Sequence, residues 1–259
     1  QGKAAFVERD VQLVDQFGAS TPSVRKPVRF CNPTRKNDEE INDSTAHLAC
    51  YKMKGGANPK REVLVRNQFG DQTVTVNKAE SLCVPAEKNG VPSELELNHF
   101  QCYRVRGKGF TSRDVTLSDQ FGTAGVTVLK PRRLCAPVEK NDEGIVDEAG
   151  HLMCYRIKQP GDSPKRDVTV DDQFGTITPS VRRPVFLCVP SLKNPPATTT
   201  TTSTSSTSST SIEASTSTSS TSTTSTTAPL CGNSIPDPGQ QCDPPGSLTC
   251  PPTSPGGAF

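Results

Sequence analysis

Four stretches of this chain alternate apolar and polar positions: Val11/Leu13, Val63/Val65, Val115/Leu117 and Val168/Val170. Each runs into a near-identical tetrapeptide: Asp15-Gln16-Phe17-Gly18, Asn67-Gln68-Phe69-Gly70, Asp119-Gln120-Phe121-Gly122 or Asp172-Gln173-Phe174-Gly175. The alternation then resumes as Val74/Val76 and Val126/Val128, with Val24 and Val181 at the matching places in the outer copies. Period-two patterning in β-branched residues predicts half-buried strands. A glycine after the phenylalanine supplies a positive-φ position for chain reversal. Each stretch therefore predicts strand–turn–strand, with the phenylalanine as a core plug. No segment carries a 3.6-residue apolar stripe longer than two turns, so the predicted fold class is all-β.

The four phenylalanines, at 17, 69, 121 and 174, stand 52, 52 and 53 positions apart. One cysteine series keeps the same beat (Cys31, Cys83, Cys135, Cys188), and a second runs Cys50, Cys102, Cys154. Self-similarity at a fixed period of this size marks a repeat architecture. Cys83, Cys135 and Cys188 close a Leu-Cys-x-Pro segment, and polar loops follow (Glu87-Lys88-Asn89, Glu139-Lys140-Asn141-Asp142). Short strands at His47–Tyr51, His99–Tyr103 and His151–Tyr155 come next. The predicted organisation is an incomplete N-terminal β module (1–45), three β repeats (46–97, 98–149, 150–194), a Ser/Thr stalk (195–229) and a Cys-rich tail (230–259). A tandem array of this kind is expected to form an end-to-end row of modules.

The pattern HxxCYxxK/R, then VxVxDQFG, then LCxPxxK resembles a bacterial domain of unknown function that occurs in tandem in secreted proteins. The resemblance covers roughly residues 5–194; it implies an extracellular β module and brings no activity with it. The tail, from Cys231-Gly232-Asn233-Ser234 to Gln241-Cys242-Asp243, resembles the CGNGxxxPGExCD segments of bacterial surface proteins, although Pro244-Pro245 replaces their Asp-Gly-Asn. In the resembled family a unit runs from HxxCY to LCxP, which implies the pairs Cys50–Cys83, Cys102–Cys135 and Cys154–Cys188. Such loops of roughly 34 residues are worth about 3–4 kcal/mol each. The alternative frame, Cys31–Cys50 and so on, closes loops of roughly 20 residues at similar energy. The two frames stay open on energy; the first staples each strand pair within one unit. Seven cysteines lie in the repeats and three (Cys231, Cys242, Cys250) in the tail, both odd numbers. In the first frame Cys31 is the orphan, because no HxxCY precedes the first QFG. Cys31 with Cys231, Cys242 or Cys250 is then the candidate tail or intersubunit disulfide.

Composition narrows the function. With 29 basic and 27 acidic residues interspersed, there is no concentrated basic face for nucleic acid. No run of 18 apolar residues predicts membrane insertion. Ten regularly spaced cysteines without a CxxC favour an oxidised, extracellular or cell-surface location, and Gln1 at the start suits a mature terminus after signal-peptide removal. Thr198 to Thr227 is Ser or Thr throughout except Ile212, Glu213 and Ala214, which reads as an O-glycosylated stalk. Its candidate sites include Thr198, Thr199, Thr200, Thr201, Thr202, Ser203, Thr204, Ser215, Thr216, Thr223 and Thr224. Asn42-Asp43-Ser44 is the one N-linked sequon.

Catalytic chemistry is not predicted. HExxH, GxSxG, P-loop and GxGxxG motifs are missing. His47, His99 and His151 occupy one repeat position and read as structural; Asp142, Glu143 and Asp147 lack EF-hand spacing and read as a charged loop. No catalytic residue, cofactor or metal is expected. The expected function is a structural subunit of an extracellular glycosylated filament or surface layer. Copies would join head to tail, the C-terminal segment of one docking on the incomplete N-terminal module of the next. The alternative is a stalked adhesin or carbohydrate-binding module, for which Phe6, Phe110 and the three tyrosines are the candidate display aromatics.

Overall fold

The structure, a computed structural model, describes residues 6–161 and 164–196. Within them the fold is all-β, with 18 strands and no helix. The stalk and the tail, with their candidate glycosylation sites and Cys231, Cys242 and Cys250, lie outside the described residues.

Each QFG segment is a hairpin whose loop is the Gln-Phe pair. Asp15 pairs with Gly18, Asn67 with Gly70, Asp119 with Gly122 and Asp172 with Gly175. The first residue makes the turn: its Oδ1 accepts the N–H of the phenylalanine two positions on, at 2.7–2.9 Å in all four copies. The closing glycines have φ of +99° to +139°, outside the range comfortable for a side chain. In the second copy the alternation becomes burial directly, with Val63, Val65, Val74 and Val76 at most 5% exposed.

The cysteine segments form a second layer of pairing. Ser23–Cys31, His47–Lys54, the end of Gly70–Lys88, Phe100–Gly107, the end of Gly122–Pro137, His151–Lys158 and Phe186–Lys193 pair antiparallel in chain order, a seven-strand meander. Bulges at Val24/Pro27/Arg29, Val76/Ala79/Ser81 and Val128/Pro131/Arg133 let single strands bend from hairpin into meander. Gly70–Lys88 thereby contributes to both over 19 residues.

The copies do not stand in an end-to-end row. After each cysteine a Lys-Asn pair reaches the hairpin two copies away. Arg35–Lys36 pairs with Leu117–Ser118, Glu87–Lys88 with Val170–Asp171, Glu139–Lys140 with Leu13–Val14, and Leu192–Lys193 with Val65–Arg66. The first copy thus clasps the third, the third the first, the second the fourth and the fourth the second. Each clasp is finished by the asparagine, whose N–H donates to the hairpin backbone and whose Oδ1 accepts from it, as Asn141 does with Gln12. Asn37, Asn89, Asn141 and Asn194 all have φ near +50°, a conformation asparagine tolerates better than most residues. The physical reason for the cyclic arrangement is burial. A single copy is too small to enclose its own apolar face, and Tyr51, Tyr103 and Tyr155 reach 0% exposure only against hairpins of other copies.

Candidate functional site: an open strand position beside Cys31

In the meander, cysteines on neighbouring strands sit directly opposite one another. Cys50–Cys83, Cys102–Cys135 and Cys154–Cys188 are disulfides, each with Cα atoms 3.9 Å apart. These are the pairs of the HxxCY-to-LCxP frame. The other frame is close at hand, because Cys31 Sγ lies 3.7 Å from Cys50 Sγ, Cys83 3.6 Å from Cys102 and Cys135 4.0 Å from Cys154. Seven sulfurs therefore line one face of the sheet, packed with Leu48, Phe100, Leu152 and Phe186. Cys31 is the free one. Burial pushes its thiol up to about 11, against the opposing pull of the Arg29 cation.

Cys31 stands on an edge. Its strand pairs with His47–Lys54 on one side; on the other, among the described residues, only Val24 and Ser23 are paired, to Arg9–Asp10. At the far end of the meander, Phe186–Lys193 pairs with His151–Lys158, and on its outer side only Leu192 and Lys193 are paired. Side chains from the two edge strands meet: the Arg29 guanidinium lies 5.4 Å from the Phe186 ring centroid, and Arg133 lies 4.4 Å from it. Arg133 is held by Glu80 at 3.1 Å. Burial, with Arg29 next, pulls its guanidinium down to about 10, so it stays cationic at neutral pH. Beside Cys31, the buried Asn32 Oδ1 has no hydrogen-bond partner among the described residues.

On the opposite face the tyrosines show what an additional strand would do. Tyr51 donates to Asp172 Oδ2 at 2.6 Å and Tyr103 to Asp15 Oδ2 at 2.6 Å, while Tyr155 exchanges hydrogen bonds with Asn67. Each tyrosine thus binds the hairpin two copies on. Each also packs edge-on against that hairpin's phenylalanine: Tyr51 on Phe174, Tyr103 on Phe17 and Tyr155 on Phe69, at 4.8–4.9 Å. The sequence contains three tyrosines, and all are taken. Asp119 and Phe121, in the third hairpin, have none; Phe121 meets Lys88 and Arg166 instead. That hairpin is also the least covered. Leu117 is 8% exposed where Leu13, Val65 and Val170 are at most 1%, and Val115 is only half-buried.

Burial raises the carboxyl pKa of Asp15 and Asp172, with the tyrosine and backbone hydrogen bonds opposing it. Asp43 is the contrary case. Burial would raise it, but donors from Thr45, Leu95 and Ser93 hold its carboxyl far below the usual range. It ties the loop after the first copy to the loop of the next.

The other sequence candidates fall into place around this frame. His47 lies against Phe30, His99 bonds Glu143 at 2.7 Å, and His151 bonds Gln16 and the Ala149 carbonyl. Glu143 is further tied to Lys140, and Asp147 accepts from the Ala149 N–H. Among the described residues no group of three or more His, Cys, Asp or Glu is placed to hold a metal. Phe6 packs on Tyr51 and Phe110 on Tyr155, and both are half-buried. The sequence reading missed the Lys-Asn clasp, the carboxylate acceptors and Asp43. The first two had a signal, since Lys-Asn and Asp/Asn-Gln-Phe recur four times each; Asp43 had none.

These features define a class: an all-β, disulfide-stapled repeat domain, of the kind that persists in an oxidising environment. More particularly, residues 47–149 match a family described as a repeat of unknown function (DUF7450). No curated protein and no solved structure matches the chain. No helix of the described residues is long and apolar enough to cross a membrane.

Proposed function

We propose that this chain is a structural, non-catalytic subunit of an extracellular, glycosylated filament or surface layer, and that subunits join by completing the cysteine meander with a strand. The observation that carries this is the open strand position. Two edges unpaired among the described residues share a side-chain contact, with a free cysteine on one of them and the least covered hairpin on the opposite face. Unpaired strand edges are ready templates for another strand, and addition of a strand to a sheet edge is a recurrent mode of protein association. A contact between different surfaces of successive subunits does not close, and so builds a fibre. The Ser/Thr stretch supports the reading as a stalk that carries O-linked glycans and spaces the domains.

The test is electrophoresis and light scattering of natively secreted material, beside a Cys31→Ser variant. The wild type should run as a covalent ladder under non-reducing denaturing conditions and collapse on reduction. The variant should lose the ladder while keeping weaker association. A wild-type monomer in both measurements overturns the proposal.

A further inference from the structure

We infer that the strand completing this sheet carries the repeat's own His-x-x-Cys-Tyr pattern and is supplied by sequence other than these 259 residues. The inference rests on the strand-completion reading and names its ligand.

The internal copies specify that ligand twice over. On the sulfur face, every HxxCY cysteine sits opposite an LCxP-type cysteine: Cys50↔Cys83, Cys102↔Cys135, Cys154↔Cys188. Cys31 occupies the second role without a first, so its partner is a cysteine directly across a new antiparallel pair. On the other face, the residue after that cysteine points away from the sulfurs, since successive side chains alternate. In all three copies it is a tyrosine that reaches two hairpins on. The same step from the open position leads to the third hairpin, where Asp119 lacks a hydroxyl donor and Phe121 lacks an edge-on ring. One strand with Cys-Tyr at adjacent positions answers both vacancies at once; a cysteine alone answers one.

These 259 residues hold no such strand to spare. The three His-x-x-Cys-Tyr segments already pair inside the meander, and their tyrosines are spent on Asp172, Asp15 and Asn67. The tail cysteines are followed by Gly232, Asp243 and Pro251, and the tail contains no tyrosine. The tail can offer a thiol to Cys31, but neither the ring nor the hydroxyl.

The probe is a peptide of residues 47–54, HLACYKMK, with its cysteine carried as the mixed disulfide of 2-nitro-5-thiobenzoate. Capture is redox-neutral: the Cys31 thiolate attacks the peptide sulfur, a new disulfide forms, and the nitrothiobenzoate thiolate leaves and is read by its colour. The whole chain is used, and the modified residue is mapped by mass spectrometry. Labelling of Cys31 should be about tenfold faster with this peptide than with its Tyr→Ala or shuffled forms. Asp119→Ala should reduce the difference between the Tyr and Phe peptides to nothing. Equal rates for all cysteine peptides overturn the inference. A peptide spanning Cys231 that outpaces HLACYKMK overturns it too, while leaving strand completion standing. If no peptide exceeds the thiobenzoate conjugate of free cysteine, both readings fall.

Discussion

Replacing Tyr103 by phenylalanine isolates the contact that ties one copy to another. The hydroxyl donates to Asp15 Oδ2 at 2.6 Å and accepts from Gln101 Nε2 at 2.8 Å. Tyr103 is 0% and Gln101 1% exposed, so water does not reach the Gln101 amide, while Asp15 is half-buried. A hydrogen bond to a charged group contributes about 1.5–3 kcal/mol, and stranding a buried amide costs about 1–3 kcal/mol, so the expected loss is about 3–5 kcal/mol. The ring remains against Phe17, so packing is little changed. Tyr155→Phe is the internal control, because its partner Asn67 is neutral and keeps Ser191 as a second bond; about 1 kcal/mol is expected there. The Tyr103 penalty also has a pH signature. Asp15 already has a raised pKa, chiefly from burial, and Tyr103 is the first of the bonds that pull it down. Without the hydroxyl its folded pKa rises further. The penalty is therefore full while Asp15 is ionised, and shrinks as pH falls through the variant's raised value and the carboxyl becomes neutral. Urea unfolding under non-reducing conditions, from neutral pH down to the carboxylate range, reads both effects. Equal losses for Tyr103→Phe and Tyr155→Phe, with no pH dependence, would refute the reasoning.

Cys83→Ser should be milder than Cys50→Ser. It leaves Cys50 free beside Cys31, 3.7 Å away, and a new Cys31–Cys50 disulfide recovers about 3 kcal/mol of the roughly 4 lost; peptide mapping that finds both thiols alkylated would count against it. Asn141→Ala should cost about 2 kcal/mol, since it removes the acceptor for the Gln12 N–H and places alanine in the left-handed region at φ 50°. Asn141→Gly, which relieves the backbone, should cost less, and denaturant midpoints compare the two. Asp43→Ala should cost about 2–4 kcal/mol at neutral pH and speed amide exchange at Glu94 and Leu95, whose N–H groups it accepts. Because the folded pKa of Asp43 lies below its unfolded value, its contribution is complete above the ordinary carboxylate range. The gap between wild type and variant should therefore narrow only as pH falls through that range toward the folded value.

The hairpins were legible because they are local. Alternating valines, an Asp or Asn to make the turn and a glycine to close it lie within ten residues of one another. The two cysteine frames were legible as alternatives but not separable, and the structure shows why: sulfurs across a disulfide and between neighbouring disulfides belong to one row. What the sequence could not display is the cyclic clasp. Lys36-Asn37 reads as a polar loop, and nothing near it says that its partner is Thr116, 79 residues on. For the same reason nothing near the tyrosines named their hydrogen-bond partners, although these sit in the most obvious motif of the chain. That Cys31 has no HxxCY cysteine left to pair with among these 259 residues was visible by counting. Its consequence, an Asp119 and a Phe121 that no tyrosine meets in the third copy, needed the pairing between copies.

Disulfide mapping of native material at Cys31 tests the central claim most directly. The account expects Cys31 joined to a cysteine that is followed by tyrosine and lies outside these 259 residues, with Cys50–Cys83, Cys102–Cys135 and Cys154–Cys188 intact. A free Cys31 thiol, or Cys31 joined to Cys50, would contradict it.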